Sequence, residues 1–128
     1  MTHHSRLYKV VIDVPADGVD SELAFWRGAT GLALPPNPGF PEYFGSHLLH
    51  GQEFALLLQR LGDGAPRVHL DIHTDDLDAE VARLERLGAQ RIQMVNFWWV
   101  MRDPAGLPFC VLPDRAGDLT DGNSTRWD

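Results

Sequence analysis

Two stretches decide the fold: LYKVVIDVPADGVDSELAFWRGATGL, from Leu7 to Leu32, and RVHLDIHTDDLDAEVARLERLGA, from Arg67 to Ala89. Each opens with a strand-like run, passes an acidic turn, enters an amphipathic helix and stops at a glycine, Gly31 or Gly88. Their starts lie 60 positions apart and their closing glycines 57, so the two copies differ by a small change in loop length. Two copies are too few for a solenoid, which needs about three. A closed, pseudo-symmetric domain with any shared site between the halves is the expectation.

Working outward, Lys9 to Val14 is β-branched and ends at Pro15, which cannot donate to a ladder, so it reads as a strand. Asp20 or Ser21 is placed to cap the following helix. Ala33 to Pro41 is rich in proline and reads as a loop. Tyr43 to His50 and Phe54 to Leu61 form an expected hairpin around Gly51-Gln52-Glu53, and Gly62 to Pro66 a linker. In the second copy Val68, Leu70 and Ile72 alternate with His69, Asp71 and His73. Asp75 or Asp76 caps a helix whose stripe is Leu77, Val81, Leu84 and Leu87. Gln90 to Asn96, Phe97 to Met101 and Pro108 to Leu112 read as strands, with a turn at Asp103 to Gly106. Residues 114–128 show little periodicity and are expected to be loosely held, as are His3 and His4.

The chain has 128 residues and a formal charge of −7 with only 11 basic residues, none of them clustered, which excludes phosphate-backbone recognition of nucleic acid. Cys110 is the single cysteine, which excludes an intrachain disulfide and a multi-cysteine zinc site. No apolar run approaches the roughly 20 residues of a membrane span. A cytoplasmic location is the expectation.

The second-copy opening His69-Leu-Asp-Ile-His-Thr-Asp-Asp76, its helix Leu77 to Gly88 and the ending Arg102-Asp-Pro-Ala-Gly-Leu-Pro-Phe-Cys-Val-Leu112 resemble the vicinal-oxygen-chelate superfamily, the glyoxalase, bleomycin-resistance and extradiol-dioxygenase group. Lys9 to Gly31 matches more loosely. The resemblance implies an α+β fold of two tandem βαβββ modules whose curved mixed sheets surround a cleft, with helices outside, commonly in a homodimer. Module one then spans about 6–62, the linker 63–66 and module two about 67–113.

The resemblance also implies four inward metal positions, from the first and last strands of each module. Here they carry Lys9, Gln59 (or Leu57, on the same face), His69 and Cys110. Lysine is a cation near neutral pH and glutamine a weak neutral donor, so only His69 and Cys110 remain as ligands, short of the three a catalytic zinc needs. A divalent metal is therefore disfavoured and no cofactor is assigned.

Among the remaining candidates, His69 reads as a general base, a partial metal ligand or a hydrogen-bonded pocket residue. His73 shares its face and is expected to be exposed at the strand end. His47 is a pocket candidate, but it cannot share one strand face with His50. Trp98 and Trp99 point to opposite sides of a strand, so one can wall a cleft while the other packs beneath a helix. Tyr43 is a second aromatic wall. Arg102 either pins an anionic group or pairs with Asp71 or Asp103. The expected function is binding of a small aromatic or carbonyl-containing molecule between the modules; the competing one is a lyase or isomerase using His69.

Overall fold

The computed structural model describes residues 2–46 and 54–128. Its elements are β1 (His3–Pro15), α1 (Val19–Thr30), β2 (Tyr43–Ser46), β3 (Ala55–Leu61), β4 (Arg67–Thr74), α2 (Leu77–Arg86), β5 (Gln90–Val95), β6 (Trp98–Arg102), β7 (Pro108–Pro113) and β8 (Thr125–Trp127). The strands make an open mixed sheet, and the α+β class is as expected. Contacts divide the chain into two compact units. One is Lys9–His69; the other is the segment up to Tyr8 together with Leu70–Asp128. Both β1 and β4 run from one unit into the other, so the residues before Lys9 belong with the C-terminal unit and not with module one.

In the Lys9–His69 unit β3 runs parallel to β1, from Lys9↔Ala55 to Pro15↔Leu61, and β2 antiparallel to β3. Ile12, Val14, Leu56 and Leu58 alternate onto one face and meet Val19 and Leu23 of α1. Each fully buried chain of this kind contributes roughly 1.5–3 kcal/mol. Neither Asp20 nor Ser21 caps α1. A single 3-10 turn, Ala16–Gly18, leads in, Gly18 takes the cap position, and Ser21 Oγ donates to the Gly18 carbonyl at 3.1 Å. The helix starts earlier because Val19 and Leu23, one turn apart, must both reach the sheet. Gly31 ends it in the left-handed conformation, as expected.

Within the proline-rich loop, Leu34 is fully buried at a φ of 44°, a conformation costing roughly 1–3 kcal/mol. Burial of its side chain and the 3.0 Å bond from Arg27 Nη2 to its carbonyl hold it there. The expected strand from Tyr43 is seen to Ser46; His47, His50 and the Gly51–Glu53 turn lie outside the described residues.

In the other unit β7 pairs parallel with β4 and antiparallel with β6, and β5 pairs antiparallel with β6. Val81 and Leu84 of α2 pack on Met101, Phe109 and Val111. Asp76 caps α2, accepting from the Ala79 N–H at 3.1 Å. The helix face differs from the expected stripe at two places. Leu87 is exposed at the C-cap, where the chain turns away, and Glu80 points inward and is fully buried. Its carboxylate meets His3 Nε2 at 2.7 Å and accepts from Arg83 Nη2 at 2.7 Å and Nε at 3.0 Å. Burial pushes the Glu80 carboxyl up, but the Arg83 and His3 hydrogen bonds and the Arg83 charge outweigh it and hold it below the usual 4.5.

Both chain ends depart from the expectation of looseness. Strand β8 pairs antiparallel with the start of β1, His3 opposite Trp127. Trp127 Nε1 donates to Ser5 Oγ at 2.9 Å, and the Arg83 guanidinium lies 3.8 Å over the Trp127 ring. This pairing joins opposite ends of the chain, so local periodicity carries no trace of it.

His4 sits between Asp121, 2.8 Å from Nε2, and Asp75, 3.0 Å from Nδ1. The bond to Asp121, and after it those to Asp75, raise its pKa above 6.5 against the opposing effect of burial. Because the folded value is raised, the stabilisation is complete below pH 6.5 and fades as pH rises through the folded value. Amide protection of Thr125–Trp127, corrected for intrinsic exchange, is expected to fall across that range in the native chain and to stay flat in His4→Gln. Equal pH profiles for the two proteins would remove His4 from this role.

Candidate functional site: a carboxylate-held histidine on a polar sheet face

Alternation on β1 and β3 sends Ile12, Val14, Leu56 and Leu58 to the helix, so Val11, Asp13, Leu57 and Gln59 occupy the opposite face. Register then lines up Tyr43, Gln59 and Asp13 across three strands. Gln59 Nε2 donates to the Tyr43 hydroxyl at 3.2 Å. Leu57, the other residue considered at the Gln59 position, lies over Gly45, where a Cβ would come within 2.6 Å of its Cδ1. Leu57 thus fills the space a side chain on β2 would take, and Gln59 supplies the polar group.

Asp13 is 1% exposed, and a buried carboxylate needs partners. Its Oδ2 is 2.6 Å from His69 Nδ1 and 3.6 Å from Arg67 Nε. Its Oδ1 is buried with no hydrogen-bond partner among the described residues. His69 is half-buried near the start of β4. The arrangement orients the imidazole: with Asp13 ionised, Nδ1–H donates to its Oδ2.

Along β4, Arg67, His69, Asp71 and His73 share one face, while Ile72 packs in the α2 core. Asp71 is buried and pairs in register with Cys110 of β7. One donor atom each from His69, Asp71 and Cys110 lie within 4.8 Å of one another. An imidazole, a carboxylate and a thiol make three donors of the kinds that hold a zinc-type ion with one position open, and Asp13 on His69 Nδ1 is the orienting bond such a ligand uses. These residues fit a divalent metal. The sequence reading, counting only His69 and Cys110, omitted Asp71.

His73 is buried and not exposed: its Nδ1 bonds Asp114 at 2.7 Å and its ring lies 4.6 Å from that of Tyr8. Trp99 packs against the α2 core with Arg91 over its ring, and Trp98 leaves the other side of β6, buried and edge-on to Phe97. Arg102 is exposed and has no ion pair among the described residues, Asp103 being occupied by the N–H groups of Ala105 and Leu107. Lys9 is half-buried opposite Ala55, and Cys110 half-buried opposite Asp71 and Val100. The structure thus joins Tyr43 to Gln59 and gathers His69 with Cys110, while the two tryptophans separate.

Sequence reading passed over Asp13 as a functional residue. The available signal was an acid inside the apolar run KVVIDV, on the same parity as Lys9.

An open mixed sheet with one helix packed on each unit is the α+β arrangement of the vicinal-oxygen-chelate fold. The chain belongs to the glyoxalase-like domain family, which it matches over residues 9–112. No curated protein matches the sequence. Among solved structures it is similar to the methylmalonyl-CoA epimerase of Mycobacterium tuberculosis, with a TM-score of 0.59, 17% identity and coverage of 84% of this chain and 86% of that one. A variant of the Streptomyces coelicolor methylmalonyl-CoA epimerase in complex with 2-nitronate-propionyl-CoA gives 0.57 at 15% identity, covering 87% and 98%. A 4-hydroxymandelate synthase variant from Streptomyces coelicolor gives 0.55 at 14% identity, covering 94% of this chain and 52% of that one. At these identities the likeness is one of fold. No helix among the described residues is long and apolar enough to cross a membrane.

Proposed function

We propose that the chain binds a small carbonyl-containing molecule at the polar face carrying Tyr43, Gln59, Asp13 and His69, and that His69 acts there as a general base. The 2.6 Å bond between Asp13 and His69 Nδ1 carries this reading. A carboxylate on Nδ1 sets the tautomer and stabilises the imidazolium once Nε2 has taken a proton. Gln59 and Tyr43 offer neutral donors for a carbonyl oxygen. Proton transfer beside a carbonyl is one way an epimerase inverts a carbon centre, and the fold shared with the methylmalonyl-CoA epimerases is compatible with such chemistry. Lys9 as a further ligand contact, a homodimer and a cytoplasmic location belong to this proposal.

The test is deuterium incorporation next to the carbonyl, followed by NMR in D₂O, with pyruvate, methyl pyruvate, propionyl-CoA and methylmalonyl-CoA as probes. Native protein is expected to exceed the buffer rate for at least one probe, and His69→Gln to lose about 10²–10⁴-fold of it. Equal rates for the two proteins would end the base assignment.

A second reading rests on the His69, Asp71 and Cys110 donors within 4.8 Å of one another. They would hold a divalent ion, which supplies a Lewis acid that polarises a carbonyl. Calorimetry with Zn²⁺, Ni²⁺ and Mn²⁺ separates the two: stoichiometric binding lost in both His69→Ala and Asp71→Asn favours the metal. Native protein that takes up none of the three ions yet still exchanges favours the base alone.

A further inference from the structure

We infer that Arg67 is the anchor for a carboxylate, so that the molecule handled by His69 is an anionic carbonyl compound. This rests on the reading of His69 as a base. Arg67 and His69 alternate on β4 and leave the same face about 6.6 Å apart along the strand. Both groups meet at one carboxylate oxygen, Asp13 Oδ2 lying 2.6 Å from His69 Nδ1 and 3.6 Å from Arg67 Nε, so a short molecule can place its carboxylate on the guanidinium and the carbon next to its carbonyl at the imidazole.

The guanidinium has donors to offer. Arg67 makes no hydrogen bond among the described residues, and its one charged contact, Nε to Asp13 Oδ2 at 3.6 Å, is beyond hydrogen-bonding distance. Its side chain is 52% exposed, so a ligand reaches it without displacing a neighbour. The guanidinium is also seated. A Cβ on Gly64 would lie 3.1 Å from Arg67 Nη1, and Gly64 has a φ of 102°, so the Gly62–Gly64 turn leaves bare backbone where the guanidinium rests. The preceding glycine-rich segment, which by composition is only a linker, thereby positions a side chain of the site.

Charge points the same way. The chain carries −7 overall, and a small anion is repelled by most of its surface. At this place Asp13 and Arg67 cancel, and the exposed guanidinium is a cation that a small anion can meet. Proton removal beside a carbonyl leaves the extra negative charge on the substrate's oxygen, while its carboxylate stays on the Arg67 guanidinium. Atoms balance: the proton passes from carbon to Nε2, and the electron pair of the C–H bond moves into the enolate.

The experiment compares pyruvate with methyl pyruvate, which share the carbonyl and differ in the carboxylate charge, by NMR titration and by methyl deuteration in D₂O. Native protein is expected to bind pyruvate more tightly. In Arg67→Gln pyruvate binding should weaken about 10- to 100-fold, with methyl pyruvate binding unchanged. Arg67→Lys should recover part of the loss, because the charge returns without the two-pronged geometry. The proposal is overturned if native protein binds neither probe or both equally, or if Arg67→Gln weakens both alike. Selective pyruvate binding without deuteration would support Arg67 and defeat the role of His69 as base.

Discussion

Glu80→Ala is expected to lower the stability of the chain by about 3–5 kcal/mol, the usual cost of removing one partner from a buried ion pair. Glu80 is fully buried and holds His3 and Arg83 together, so its loss strands a guanidinium and an imidazole in a space sized for a carboxylate. The urea midpoint should fall by about 1 M or more. Damage should spread to both chain ends, because Arg83 also stacks on Trp127 and His3 pairs with that residue across β1 and β8. The same group sets an acid limit. Its folded pKa is depressed, so its contribution is present above the unfolded value of 4.5 and lost as pH falls through the lower folded one. A Glu80→Ala protein with an unchanged urea midpoint would show that the network is incidental to the fold.

Asp13→Asn is expected to reduce proton exchange by about 10²–10⁴-fold while leaving the fold intact. The amide is nearly the same size as the carboxylate but can present an N–H to His69 Nδ1. The imidazole then accepts at Nδ1 and carries its proton on Nε2, the wrong tautomer for a base. The imidazolium formed in the reaction also loses the anion 2.6 Å away. The deuteration assay reads the rate, and circular dichroism checks the fold. Full exchange in Asp13→Asn would mean that the short Asp13–His69 bond is structural only.

The elements of the fold were largely legible in the sequence because each rests on a local pattern. Val68, Leu70 and Ile72 alternate, Leu77, Val81 and Leu84 recur at helical spacing, and Asp76 and Gly31 mark helix ends. Where the reading failed locally, a distant partner was the cause. Glu80 has the spacing of a solvated pair with Arg83, and its burial brings in a further partner, His3, 77 residues away. The closing segment looked loose because Thr125–Trp127 finds its ladder on His3–Ser5.

The site was legible in part. His69, Gln59, Tyr43 and Cys110 stand out by residue type at strand positions, and the structure brings them onto polar faces as alternation requires. Asp13 did not stand out, since an acid in an apolar strand is as consistent with an exposed edge as with a buried partner. Asp71 was read only as a mate for Arg102, and Arg67 only as the opening of a repeat.

The sequence by itself determined the elements of the α+β class, because hydrophobic period and turn chemistry act over a few residues, and the stretches His69–Asp76 and Arg102–Leu112 carried the vicinal-oxygen-chelate resemblance. Only the tertiary structure decided that Asp13 holds His69, that Asp71 joins Cys110, and that Gly64 seats Arg67. The first two depend on how strands distant in sequence come together, and the third on the path of a loop. Strand pairing brings groups 56 positions apart to 2.6 Å, and no periodicity within either strand encodes which partner it will meet.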